Sequence, residues 1–278
     1  MTEIEKLEEF LATKSKNTAT SYRRQYKILS ELLDKDVNTT GEKIIIMATK
    51  TLDNINSIQA MLNIAIVVKK IYEKPHNLLV EQRDKNKAMV EIKTKVANVE
   101  LSGKLPSYKT LVEYTNKLYD KNKFTEYVVN YLLINYFVRN QDLLFEIVPR
   151  KKDAIDKNMN YMWLPKHGKK VEYIRNNYKT AETYGKKTIV ITDPNFILAI
   201  KRINACAKYN LDCGTIIPTD SQVGYYVKKM TYNELGEGNY FKIAVNHFKD
   251  DLQMLKLMSK YRGTDVNTII SKYDIENQ

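Results

Sequence analysis

Apolar positions along this chain recur mostly at helical spacing. Ile4, Leu7, Phe10 and Leu11 share one face of a predicted helix over residues 2–12. A second helix begins at Ser15 or Asn17, with Tyr22, Tyr26, Leu29 and Leu33 on its stripe. Two more fill 41–72, carrying Ile44 to Ala48 and then Ile58, Met61, Leu62, Ala65 and Ile66, and Pro75 ends the second. Residues 77–97 read as a charged helix. Gly103 and Pro106 punctuate a linker over 98–107, which predicts a domain boundary near residue 100. Helices follow over 107–120 and 124–139; the second is apolar almost all round and is predicted to be buried.

The period then changes. Residues 143–148 read as a strand, 161–165 and 170–174 as a hairpin around His167-Gly168, and 188–192 as a further strand. Helices return over 194–209, 219–230 and 238–259. A last short run places Val266, Ile269 and Ile270 on one face, with Tyr273 continuing it. The order predicts a mainly α protein: a helical domain over 1–100, then an α+β domain over 101–278 with a small antiparallel sheet.

Glycine and proline number only 9 and 6 among 278 residues, which agrees with few tight turns. Lys and Arg total 45 against 33 Asp and Glu, a net charge of +12. Such an excess points to an anionic partner, nucleic acid first and an acidic membrane surface second. Cys206 and Cys213 stand without clustered histidines, so neither a zinc site nor a disulfide framework is expected, and no cofactor is implied. The N-terminus is acidic and amphipathic, unlike a signal peptide, and no apolar run approaches about 18 residues. A protein inside the cell, off the membrane, is therefore expected. Abundant Lys, Asn, Ile and Tyr suggest an AT-rich genome, such as that of a large DNA virus or mobile element, with the virion as a further location.

Two features carry candidate chemistry. Arg23, Arg24 and Lys27 flank the apolar stripe of the second helix, as phosphate contacts do and as any solvated helix face does. Tyr273 follows an apolar stripe near the chain end. A tyrosine can act as a covalent nucleophile when the developing charge is stabilised, although most tyrosines are packing residues with a polar tip.

Over nearly its whole length the sequence resembles the tyrosine recombinase (phage integrase) family. Phe10-Leu11, Ser15, Thr18, Tyr22 and Leu29 resemble its helical core-binding domain, and Leu105-Pro-Ser-Tyr-Lys-Thr-Leu111 the entry to its catalytic domain. Val138-Arg139-Asn-Gln-Asp142-Leu resembles the first arginine box, without the usual preceding glycine. Lys179, in Tyr178-Lys-Thr-Ala-Glu-Thr-Tyr-Gly-Lys-Lys-Thr, resembles the lysine of the β-hairpin. Leu257 to Thr264, followed by Tyr273, resembles the last box. Asn239-Tyr-Phe-Lys242 stands where the family writes His-x-x-Arg, and Thr264 where histidine or tryptophan is usual.

The resemblance implies double-stranded DNA as partner, a homo-oligomer on DNA, and strand breakage and rejoining through a 3′-phosphotyrosyl link on Tyr273. No metal, cofactor or small-molecule substrate is implied. Arg139 would clamp the phosphate, Lys179 would protonate the leaving oxygen, Lys242 would supply a point charge in place of the second clamp, and Thr264 one hydrogen bond. Lys186 and Lys187 join Arg23, Arg24 and Lys27 as expected DNA contacts. The departures leave two other readings open: a catalytically degenerate DNA-binding or virion protein, and a helical protein–protein scaffold. His247, five residues beyond Lys242, is read as structural; His76 and His167 are read as loop residues.

Overall fold

The computed structural model describes residues 3–14, 16–37, 39–166, 168–208 and 222–275. The chain divides into two compact units, residues 1–97 and 98–278. His167, Cys213 and residues 219–221 of a predicted helix lie outside the described residues.

The first unit contains α1 (Glu3–Ala12), α2 (Lys16–Leu32), α3 (Gly41–Thr51), α4 (Ile55–Ile71) and most of α5 (Asn77–Ser102). The periodic apolar residues build one core, including Leu7, Leu11, Leu29, Leu33, Ile44, Leu62 and Ala65. Short polar side chains start two of its helices: Thr40 accepts from the Lys43 N–H, and Asn54 from the Asn56 N–H. Helix α5 runs on through Ser102, so residues 98–102 are helical rather than linker. No glycine or proline stands between Pro75 and Gly103, and the division between units falls inside this helix.

The second unit opens with α6 (Tyr108–Asp120), capped by Ser107, and the buried α7 (Phe124–Asn135). α7 stops short of the predicted residue 139. Phe137 adopts a left-handed backbone at φ 52°, and its ring is buried against Phe241, Met258 and Ile269. Burial of that ring stabilises a turn that a helix could not make. A 3-10 turn (Asn140–Leu143) leads into β1 (Phe145–Val148), followed by β2 (Asn160–Trp163), β3 (Val171–Arg175), the short α8 (Ala181–Tyr184) and β4 (Lys187–Ile191).

The sheet is mixed, not antiparallel as expected. Its order is β1-β2-β3-β4; β1 runs parallel to β2, while the other two pairs are antiparallel. Residues 149–159 carry the chain back before β2 starts, the kind of crossover that a parallel pair requires. Alternation along the strands sorts the side chains cleanly. Met162, Val171, Tyr173, Ile189 and Ile191 join Leu132, Phe196 and Tyr240 in the main core. Val148, Tyr161 and Ile174 form a smaller cluster with Trp163 on the other face.

Helices complete the unit: α9 (Pro194–Lys208), α10 (Val223–Met230), α11 (Glu237–His247), α12 (Leu252–Arg262) and α13 (Val266–Tyr273). The single helix predicted over 238–259 is two. Asp251 caps α12 by accepting from the Met254 N–H, and this local bond competes with continuation of α11. His247 stacks on Tyr108 with ring centroids 4.7 Å apart, a packing role. Among the described residues no helix is long and apolar enough to cross a membrane.

The cap of α13 fixes where the tail starts. Asp265 Oδ1 accepts from the N–H groups of Asn267 (2.8 Å) and Thr268 (3.2 Å). Asp265→Ala is expected to cost about 1 kcal/mol of local helix stability. Hydrogen exchange should quicken at these two amides and stay unchanged in α7; protection left intact at both would refute the capping role.

Candidate functional site

Alternation in the antiparallel pair β3–β4 puts two cations face to face. Arg175 and Lys187 are register partners, and both share the core-facing side with Tyr173 and Ile189. Like charges directly opposite one another destabilise a sheet, so their neighbours must supply compensation.

Asp142 supplies most of it. Its carboxylate is fully buried and accepts from Arg175 Nη2 at 2.5 Å and from the Arg139 backbone N–H at 2.8 Å. Burial pushes this carboxyl up from its ordinary range, while the Arg175 guanidinium pulls it down. The Tyr173 hydroxyl donates to the Asp142 carbonyl, and Arg175 Nη1 donates to the Tyr261 carbonyl at 2.5 Å. Asp142 therefore pairs with the side chain of Arg175 and holds Arg139 only by its backbone. Asp142 Oδ1 and Arg175 Nε are buried and make no hydrogen bond.

The freed Arg139 side chain crosses to the end of α12, where Nη1 donates to the Arg262 carbonyl at 2.6 Å. Burial holds its guanidinium below the ordinary arginine range, and the Arg262 charge lowers it further. Arg262 is itself buried. It donates to Glu237 and to the Phe137 carbonyl, and its guanidinium carbon lies 3.8 Å from the centroid of Phe241. Gly263 closes α12 at φ +62°, a left-handed turn that glycine adopts without strain. A Cβ there would come within 2.5 Å of Thr180 Oγ1, so the helix end and the segment after β3 touch through this glycine. Thr180 Oγ1 donates to the Gly263 carbonyl at 2.9 Å, and Lys187 Nζ to the Lys260 carbonyl at 2.6 Å. Burial draws the Lys187 ammonium below the ordinary lysine range; the charges of Arg175, Arg139 and Lys260 add to that.

Tyr273 ends α13 beside this cluster. Its ring meets Phe241 edge to face at 4.7 Å and lies 5.5 Å from the Arg262 guanidinium. It is within electrostatic range of Arg139 and Lys242. Asn246 anchors the backbone on either side, donating to the Tyr273 carbonyl and accepting from the Ile275 N–H, both at 3.3 Å. Among the described residues the Tyr273 hydroxyl makes no hydrogen bond.

The expected residues are thus only partly brought together. Arg139 and Tyr273 join the cluster. Lys242 stands beside Tyr273 on α11, with Nζ donating to Asn98 Oδ1 at 2.8 Å, and burial lowers its affinity for a proton. Lys179 is exposed; Lys187, expected as a DNA contact, is the lysine of this sheet that enters the cluster. Thr264 is engaged through its backbone with Ser259. Lys186 is exposed. In the first unit Arg23 pairs with Glu8 at 2.5 Å, Lys27 lies 3.9 Å from Glu31, and Arg24 is exposed without an ion pair among the described residues. Arg175, Lys260 and Arg262 went unrecognised in the sequence. The signal for Arg175 was its inward position in Val171-Glu-Tyr-Ile-Arg175, two residues past Tyr173.

No group of three or more His, Cys, Asp or Glu able to hold a metal ion occurs among the described residues. A pocket of about 420 Å³ in the first unit, lined by Thr40, Lys69, Lys74 and His76 among others, contains none of the expected site residues. Compared with protein-family models, curated proteins and solved structures, the chain matches none.

Removing one partner of a buried ion pair leaves the other charge uncompensated. Asp142→Ala is expected to cost about 3–5 kcal/mol in urea unfolding, and Asp142→Ala with Arg175→Met to recover much of that loss. A double variant no more stable than the single one would show that Asp142 does not act through Arg175.

Proposed function

We propose that this protein binds DNA and breaks and rejoins its strands through a covalent link to Tyr273, in the manner of a tyrosine recombinase. The observation that carries the reading is the convergence of Arg139, Arg175, Lys187, Lys260 and Arg262 from four separate segments. Two carboxylates, Asp142 and Glu237, lie among them, and an unbonded phenol stands beside them. Folding alone gains nothing from such crowding of cations; a phosphodiester supplies the missing negative charge.

In this scheme Tyr273 Oη gives its proton to solvent, attacks phosphorus and forms the 3′-phosphotyrosyl bond as the bond to the 5′-oxygen breaks. Negative charge spreads over the non-bridging oxygens. Arg139 has Nε and Nη2 without hydrogen bonds among the described residues and supplies donors to them. Lys187 gives its proton to the departing 5′-oxygen; burial has already moved it toward the range where general acids work well. Arg262 holds the site rather than the phosphate, because Glu237 and Phe137 engage it. The 5′-hydroxyl of an incoming strand reverses the step. Arg24, Lys27 and Lys186 would contact the backbone elsewhere, and several copies would assemble on the duplex.

A nicked duplex that loses its short cleaved fragment should trap a covalent adduct with the wild-type chain. Tyr273→Phe should abolish it, Arg139→Ala should lower its rate by about 10²–10³, and Lys179→Ala should leave it unchanged. Loss of the adduct in Lys179→Ala but not Lys187→Ala would reverse the assignment of the acid.

The lowered Lys187 also fixes a pH limb. Lysine must carry its proton to act as the acid, so adduct formation should fall as pH rises through a value below the ordinary lysine pKa of about 10.4. Lys187→Arg should move that limb upward. Measured rates indifferent to the substitution over the alkaline range would remove Lys187 from the step.

One observation favours a binding protein that no longer cuts: Lys242 is engaged by Asn98 and Arg262 by Glu237, so neither is poised as a second clamp. That reading expects duplex affinity that falls linearly with the logarithm of salt concentration, with no adduct on any nicked substrate.

A further inference from the structure

The outer face of the sheet carries a second cationic surface, built from residues that the tyrosine cluster does not use. Trp163, the one tryptophan of the chain, is half-buried on β2 and lies across from Glu172 on β3. Lys151 Nζ and Lys170 Nζ donate to the two oxygens of Glu172 at 2.6 and 2.9 Å. The same ammonium groups stand 5.3 and 5.9 Å from the centroid of the Trp163 ring. The hydrogen bond from Lys151, with that from Lys170, holds the Glu172 carboxyl below its usual range against the effect of burial. Glu172 therefore stays ionised and pins two lysines beside one aromatic ring. One carboxylate against two ammonium groups leaves the trio positive.

More cations lie close to it along the chain. Lys152, Lys166 and Lys169 are exposed and make no ion pair among the described residues. Between residues 150 and 170 there are seven Lys or Arg against two Asp. Arg150 is paired with Asp153, so the excess belongs to the lysines. The underlying cluster of Val148, Tyr161 and Ile174 needs none of them for its packing.

We infer that this face binds single-stranded nucleic acid. Lysines spaced along the two segments that flank β2 suit a charged backbone, and an aromatic ring held among ammonium groups suits an unpaired base lying near those phosphates. A duplex keeps its base faces stacked inside and offers the ring nothing comparable. The inference rests on nucleic acid being the partner of this chain. It does not require Tyr273 to be a nucleophile.

Because Trp163 is the only tryptophan, its emission reports this face alone. Titrating the full chain at low salt with an oligothymidylate of about a dozen nucleotides should quench that emission saturably, and added salt should reverse the effect. Lys166→Glu with Lys169→Glu, both at exposed positions, should raise the midpoint by about tenfold or more. The same variant should form the Tyr273 adduct on a short nicked duplex as the wild type does. Circular dichroism checks that it folds. Absence of quenching, quenching indifferent to the two charge reversals, or equal quenching by intact duplex would each overturn the inference. Duplex binding followed in parallel by fluorescence anisotropy separates the failures. Duplex bound without Trp163 quenching by oligothymidylate refutes this face alone, whereas neither bound refutes nucleic acid as the partner.

Discussion

Asp142 is the constraint on which the second unit depends. One buried carboxylate holds the 3-10 turn after α7 through the Arg139 N–H, and the end of β3 through Arg175. Arg175 in turn reaches the Tyr261 carbonyl in α12, so turn, strand and helix are tied through two side chains. Desolvating such a pair is expensive, and apolar residues of the same volume would often hold the same elements at least as well. What apolar residues cannot do is set a positive field. Burial first, and then the charge of Arg175, lowers the proton affinity of Lys187 opposite it; Asp142 acts against this and Arg139 with it.

Much of the fold was legible in the sequence because period and burial agree there. The change from helical to alternating spacing after residue 142 located all four strands to within a few residues. Strand direction was not legible, because alternation is the same whichever way a strand runs; only the backward path of residues 149–159 makes β1 and β2 parallel. The break between α11 and α12 was hidden because Phe248 and Leu252 continue an apolar rhythm across it, while the cap at Asp251 depends on one local hydrogen bond. Phe137 was hidden for the opposite reason. Its burial, not its backbone preference, stabilises a conformation costly for a bulky side chain.

The candidate cluster was legible by residue type more than by position. Resemblance placed the lysine at Lys179, yet spacing along a loop says nothing about which side chain turns inward. Strand alternation does: Lys187 shares its parity with Ile189 and Ile191, and Arg175 with Val171 and Tyr173. A cation at an inward position of an otherwise apolar strand is costly, and two in register are costlier. That test needed only the sequence and a pairing of β3 with β4.

In the proposed scheme positioning and chemistry divide between two arginines near the tail. Arg139 enters the cluster with part of its guanidinium uncommitted, whereas Arg262 is spent on Glu237, the Phe137 carbonyl and the face of Phe241. Phe241 also receives the edge of Tyr273, so Arg262, Phe241 and Tyr273 form one stack that sets the height of the phenol. A guanidinium held by a carboxylate, a carbonyl and a ring has little freedom to swing toward a ligand. It has every reason to fix its neighbours. In the proposed scheme, placing the phosphate falls to Arg139 and Lys187, and orienting Tyr273 falls to Arg262 and the Asn246 bridge. On that proposal the demand for a second arginine at residue 242 is relaxed, and burial there already disfavours a charge.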